Sequence, residues 1–127
     1  MAMRFGTAVI CIDGRVQMPV IRYMRNRFAL DYVDIISEPG PNRLLAAAHD
    51  RHLFQSVVAK IRVSIDRHGS HIVAVVGHYD CAGNPVEQAV QTEQTKAALA
   101  LLRPMFSEDV RLVGFWVNQR WNVIEVA

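Results

Sequence analysis

Thr7-Ala8-Val9-Ile10-Cys11-Ile12 is an unbroken apolar run that stops at Asp13-Gly14, and Ile72-Val73-Ala74-Val75-Val76 is another, closed by Gly77-His78. Short runs without polar alternation describe strands buried on both faces, as in a parallel sheet covered by helices. Working outward from the first run, Pro19 is predicted to open a helix, since its fixed φ suits a first turn. Val20, Ile21, Met24 and Phe28 then recur at helical spacing and leave Arg22, Arg25, Asn26 and Arg27 to solvent. Tyr32 to Ile36 reads as a further strand, stopped by Glu38-Pro39-Gly40-Pro41.

Between that stop and the Ile72 strand, Leu53, Phe54, Val57, Val58, Ile61 and Ile65 form one apolar stripe, with Gly69 placed to end the helix. Beyond His78, Asn84-Pro85-Val86-Glu87 predicts a helix start. Asn84 would be the cap, Pro85 the first residue and Glu87 the partner reaching back. That helix is expected to run to about Leu102, before Pro104. Val110 to Val117 is a fourth strand and Asn122 to Val126 a candidate short fifth. The alternation predicts an α/β fold with a central, mostly parallel four-stranded sheet, a candidate fifth edge strand and helices on both faces. No linker or repeat interrupts residues 1–127, so a single domain is expected. In such sheets ligands bind past the C-terminal strand ends, where strand order reverses. Those ends are Cys11-Ile12-Asp13 and Gly77-His78.

Composition narrows the partners. The 127 residues are 51% hydrophobic and 20% charged, with a net charge of +2 and a pI near 8.8. Arg22, Arg25 and Arg27 are too few for the dense basic stripe of a nucleic-acid binder and read as a solvated helix face. The apolar run Ala97 to Leu102 falls far short of the ~18 residues that span a membrane. The N-terminal apolar stretch is cut by Asp13, unlike a secretory signal, so a cytoplasmic location is expected.

Both cysteines, Cys11 and Cys81, lie at the strand ends. A lone disulfide is out of place in a cytoplasmic domain. Taken singly, Cys11 reads as a small buried hydrophobe and His78 as a hydrogen-bonding loop residue. Together they read differently. His78-x-x-Cys81 follows one strand and Cys11 ends another, so the three side chains converge if those strands are neighbours. Two thiolates and an imidazole suit zinc, and three protein ligands leave a tetrahedral position open. His49 and His52 read as exposed residues near a helix start, and Trp116 and Trp121 as core or interface packing. Cys11 as a phosphatase-type nucleophile would want an arginine where Gln17 stands.

Cys11-Ile12-Asp13-Gly14-Arg15 with His78-Tyr79-Asp80-Cys81 resembles the zinc-site signature of β-class carbonic anhydrases. The context Asp66 to His78 and the strand Arg111 to Val117 are similar to that family as well, over roughly residues 5 to 126. The resemblance implies that Cys11, His78 and Cys81 hold a zinc ion and that Asp13 and Arg15 form a dyad beside it. It further implies reversible hydration of carbon dioxide to bicarbonate by a zinc-bound hydroxide, in a homodimer or higher homo-oligomer. In that family the aspartate binds zinc when its arginine contact breaks, which closes the site. Read from the residues alone, Asp13 and Arg15 are a turn-stabilising ion pair, able to make a two-pronged contact.

Several features depart from the family pattern. Gly14 stands for the usual serine, and Glu38-Pro39-Gly40-Pro41 for an Arg-Asn-Ala-Gly-like loop. Strand one begins without the N-terminal helices that clasp the partner subunit, and no residue matches the family's pocket glutamine. Glu38 is expected to bring negative charge toward the metal end. These departures keep two alternatives in view, a hydrolase of carbonyl sulfide or carbon disulfide and a non-catalytic zinc-binding module.

Overall fold

The computed structural model describes residues 2–127. In chain order it runs β1 (Phe5–Cys11), α1 (Gly14–Arg27), β2 (Tyr32–Glu38), α2 (Pro41–Ala47), α3 (Arg51–His68), β3 (Ile72–His78), α4 (Gln88–Leu102), a 3-10 turn (Arg103–Met105), β4 (Arg111–Val117) and β5 (Val123–Glu125). The sheet order is β2-β1-β3-β4-β5. The first four strands are parallel, and β5 pairs antiparallel with β4 at the edge. The expected α/β fold is therefore present, with the fifth strand formed.

β1 and β3 are neighbours, in register from Thr7 with Val73 to Val9 with Val75. From β1 the chain turns outward to β2, and from β3 it turns the other way to β4. The strand order thus reverses between β1 and β3, and their C-terminal ends flank the crevice. One face of the sheet is covered by Val16, Val20 and Met24 of α1, with Trp121 and Val123 of the β4–β5 hairpin beside them. The other face is covered by Leu45 of α2, Val57, Val58 and Ile61 of α3, and Ala98, Leu99 and Leu102 of α4. Val9, Val20, Met24 and Ile61 are inaccessible to solvent, each contributing roughly 1.5–3 kcal/mol by burial. That double cover is why β1 and β3 read as continuous apolar runs.

Two helix starts differ from expectation. α1 begins at Gly14 rather than at Pro19, because the Asp13 side chain caps it by accepting the Arg15 amide at 2.9 Å. Pro19 lies inside the helix, where it leaves the Arg15 carbonyl without its usual amide partner. α4 begins at Gln88 with Glu87 at the cap position, and Asn84 is not a cap. Its side chain is buried and donates to Asn42 and Gln94 instead. The segment after Pro39 also forms a short helix, α2, that the proline and glycine pattern concealed. α3 ends as expected, with Gly69 left-handed at φ 69°.

Candidate metal centre

Each candidate ligand owes its place to a strand end. Cys11 is the last residue of β1 and His78 the last of β3, and Cys81 follows in the turn that begins at Tyr79. That turn is tight because Asp80 adopts a left-handed φ of 55°. The Tyr79 amide donates to the Val117 carbonyl at 2.8 Å, which ties the turn to β4. Cys11, His78 and Cys81 are all buried, and one ligand atom from each lies within 4.8 Å of the other two. The two sulfurs are 3.8 Å apart and the thiols are free.

The protonation pattern around this group fits a cation. His78 Nδ1 lies 2.7 Å from the Tyr79 carbonyl oxygen. A carbonyl can only accept, so Nδ1 carries the proton, and in the neutral ring Nε2 presents a lone pair. That Nε2 is buried with no hydrogen-bond partner. Buried polar atoms are rarely left so. Burial pushes the Cys81 thiol up to about 11, with neighbouring Cys11 adding to the rise. A thiolate at Cys81 is therefore favoured by a positive charge beside it. A soft Cys, His, Cys donor set suits zinc.

Behind the ligands, His78 is held by its backbone. Gln91 Oε1 accepts the His78 amide at 3.0 Å, and Gln91 Nε2 donates to the His78 carbonyl at 2.9 Å. The same Nε2 reaches the Asn84 and Val86 carbonyls, and Asn42 Nδ2 donates to Gln91 Oε1 at 3.2 Å. Gly77 makes room for this network, since a Cβ there would sit 2.6 Å from Gln91 Oε1 and 2.7 Å from Asn42 Nδ2. Sequence reasoning overlooked Gln91 and Asn42. Polar residues at single positions of an amphipathic helix carry no signal that they face inward.

Asp13 and Arg15 sit at the rim of the crevice. Arg15 Nη2 donates to Asp13 Oδ2 at 2.6 Å and Arg15 Nε to Oδ1 at 3.0 Å, a two-pronged grip. Those bonds hold the Asp13 carboxyl down at about 2 and raise the Arg15 pKa above its already high ordinary value. Asp13 lies outside the group of three ligands. Arg15 reaches Asp80 as well, and its guanidinium lies 4.6 Å from the Trp121 ring centre. Glu38 pairs in register with Cys11, but its carboxylate lies 3.9 Å from Lys60 Nζ, which offsets its charge. His49 and His52 are exposed and outside the ligand group. Trp116 is buried as expected, and Trp121 packs at the edge of the core.

A groove of about 850 Å³ opens at the opposite end of the sheet, lined by Arg4, Phe28, His68 and Arg111 among others. The C-terminal ends of α1 and α3 lie there; Arg4 and Arg27 answer the negative end of the α1 dipole, Arg4 donating to the Phe28 carbonyl, and Arg67 and His68 lie in the last turn of α3. The candidate ligands Cys11, His78 and Cys81 lie at the other end. No helix among the described residues is long and apolar enough to cross a membrane.

A parallel α/β sheet with a buried Cys, His, Cys group at its switch point has the architecture of β-carbonic anhydrases. Residues 1–127 match the family described as "Putative carbonic anhydrase", and the chain belongs to that family. Its fold is similar to that of a carbonic anhydrase from Streptococcus mutans, with TM-score 0.66 and 19% identity over 100% of this chain and 86% of that one. A β-carbonic anhydrase isoform from Trichomonas vaginalis gives TM-score 0.66 and 13% identity, over 98% of this chain and 84% of that one. One from Aspergillus fumigatus gives 0.58 and 13%, over 99% and 77%. At such identities the likeness is one of fold. No curated protein matches the chain.

Proposed function

We propose that residues 1–127 form a single zinc-binding domain that hydrates carbon dioxide reversibly to bicarbonate and a proton. The observation that carries this reading is the buried, unpartnered His78 Nε2 beside the Cys11 and Cys81 sulfurs. A zinc ion held by these three residues would keep one tetrahedral position open and supply Lewis-acid activation of water there. Two thiolates give up more charge than imidazoles do, so the pH optimum lies on the alkaline side.

Asp13 serves as a hydrogen-bond acceptor at the reacting position. Its low pKa keeps it ionised across the working range, so it orients a proton without carrying it away. Arg15 occupies the carboxylate from one side, and Oδ2 retains acceptor capacity on the other. The same grip keeps Asp13 from moving onto the metal. Ile12 and the ring of Tyr79, each next to a ligand in sequence, are exposed. Such a rim suits an apolar substrate and a neighbouring subunit, and a homodimer or larger assembly in the cytoplasm belongs to this reading.

Elemental analysis with X-ray absorption is expected to find about one zinc per chain, bound by two sulfurs and one nitrogen. Stopped-flow assay at alkaline pH is expected to show carbon dioxide hydration. Zinc without hydration would favour the carbonyl sulfide or carbon disulfide hydrolase, or the non-catalytic module. Absence of sulfur-bound metal would overturn all three.

A further inference from the structure

The Arg15 side chain is 47% exposed, and an arginine so exposed ordinarily samples many rotamers. This one is surrounded. Besides Asp13, its Nη1 donates to Asp80 Oδ2 at 3.3 Å and its Nη2 to the Asp80 carbonyl at 3.1 Å. The Trp121 ring centre lies 4.6 Å from the guanidinium carbon. The three partners come from three separate segments: the start of α1, the turn after β3 and the β4–β5 hairpin.

Two of those partners sit on unusual backbone. Asp80 has φ 55° and Trp121 has φ 60°, the left-handed region, which aspartate tolerates but a bulky side chain such as tryptophan rarely enters. For Trp121 the hairpin accounts for the conformation but not for the residue. Val117 pairs with Val123, the Asn118 amide donates to the Asn122 carbonyl, and the Trp121 amide donates to the Asn118 carbonyl. Asn118 Oδ1 accepts the Arg120 and Asn122 amides. These bonds close a three-residue loop whose last residue is left-handed, a position where glycine is usual. None of them uses the indole ring. A tryptophan kept where glycine would fit with less strain points to a role for the side chain, and the ring rests on the core edge and on Arg15.

We infer that Trp121 and Asp80 are positioning residues that clamp the Arg15 guanidinium against Asp13. Asp80 fixes the direction of two nitrogens, and the indole face stops the guanidinium from rotating away. Asp13 is two residues from Cys11, so a loosened Arg15 frees its carboxylate to reach the ligand group. This consequence at the metal rests on the proposed zinc site; the clamp does not.

Side-chain NMR of Arg15 reads the clamp with or without metal. In the unaltered protein the Arg15 Nε proton is expected upfield, shifted by the indole ring current, and slow to exchange with solvent. Trp121→Leu keeps an apolar side chain and the backbone demand but loses the aromatic face, and is expected to speed that exchange about fivefold. Trp121→Phe is expected to restore it. Cobalt-substituted Trp121→Leu protein is expected to show an added oxygen ligand that resists displacement by thiocyanate. No ring-current shift in the unaltered protein, or equal exchange in the Leu and Phe variants, would overturn the clamp. Faster exchange with an unchanged cobalt spectrum would overturn the link to the metal, and failure to bind cobalt would count against the zinc reading alone.

Discussion

On the backbone side of His78, the side chains of Gln91, Asn42, Asn84 and Thr95 meet one another and the main chain; on its ring side, an equally buried nitrogen is left open. The amide side leaves only Asn84 Oδ1 unmet, whereas on the ring side the imidazole Nε2 finds no protein partner at all. One residue thus belongs to two kinds of buried polar cluster. The closed cluster supplies rigidity, because each member is fixed by its neighbours. The open cluster supplies a demand that only something outside the chain can meet. A site of this kind needs both, since a lone pair without a fixed direction does not select a geometry.

The comparison breaks most sharply at the open cluster. Cys81→Ser removes one of two sulfurs and the soft donor set with it, and dialysed protein is expected to retain almost no zinc and no hydration activity. Zinc content near one per chain in that variant would mean that the metal lies elsewhere. The closed cluster is tested by Gln91→Leu, which preserves volume and removes every bond to the His78 backbone. Several buried amides and carbonyls lose their partners, each at a cost of about 1–3 kcal/mol. Partial relaxation brings the expected loss in urea unfolding to about 3 kcal/mol. Zinc affinity is expected to fall roughly 10–100-fold, as for other groups that orient a ligand. Stability lost with affinity unchanged would separate the two clusters and leave Gln91 as packing alone.

The same contrast explains what could be read from the sequence. The strands β1 and β3, the α3 stripe and the pairing of Cys11 with His78-x-x-Cys81 were legible because burial on two faces and ligand chemistry both restrict residue type. The closed cluster was not, because Asn, Gln and Thr at α4 and α2 positions look like surface residues until the sheet arrives. Asn84 followed by Pro85 has the local chemistry of a cap, yet tertiary bonds to Asn42 and Gln94 drew it inward. Asp13 was read as half of an ion pair, and it also caps α1, which moves that helix five residues upstream of Pro19. Trp121 gave no sign of its left-handed backbone, since the residue expected at that turn position is glycine.

The smallest effect on stability is expected at Asp13, where charge and capping can be separated. Asp13→Asn keeps a side-chain oxygen for the Arg15 amide, and asparagine caps helices as well as aspartate does. What it loses is the charge in Arg15's grip. Arg15 is largely in solvent, so screening limits what the pair contributes, and stability at pH 7 is expected to change by no more than about 0.5 kcal/mol. The pH dependence follows from the sign of the shift. The Asp13 pKa falls from 3.8 to about 2 on folding, so its contribution is complete above 3.8 and disappears as pH falls through 2. Unfolding curves of the two proteins should therefore converge in that window and run parallel above it. Turnover is expected to behave otherwise. With zinc content unchanged, loss of an ionised acceptor at the reacting position should lower hydration by about a hundredfold. Because Asp13 is already ionised throughout the neutral and alkaline range, any rise of hydration activity with pH there is expected to come from a group other than Asp13. A wild-type profile that instead rose with a midpoint near 4 would assign the titration to a carboxylate and remove Asp13 from the role of a permanently charged acceptor.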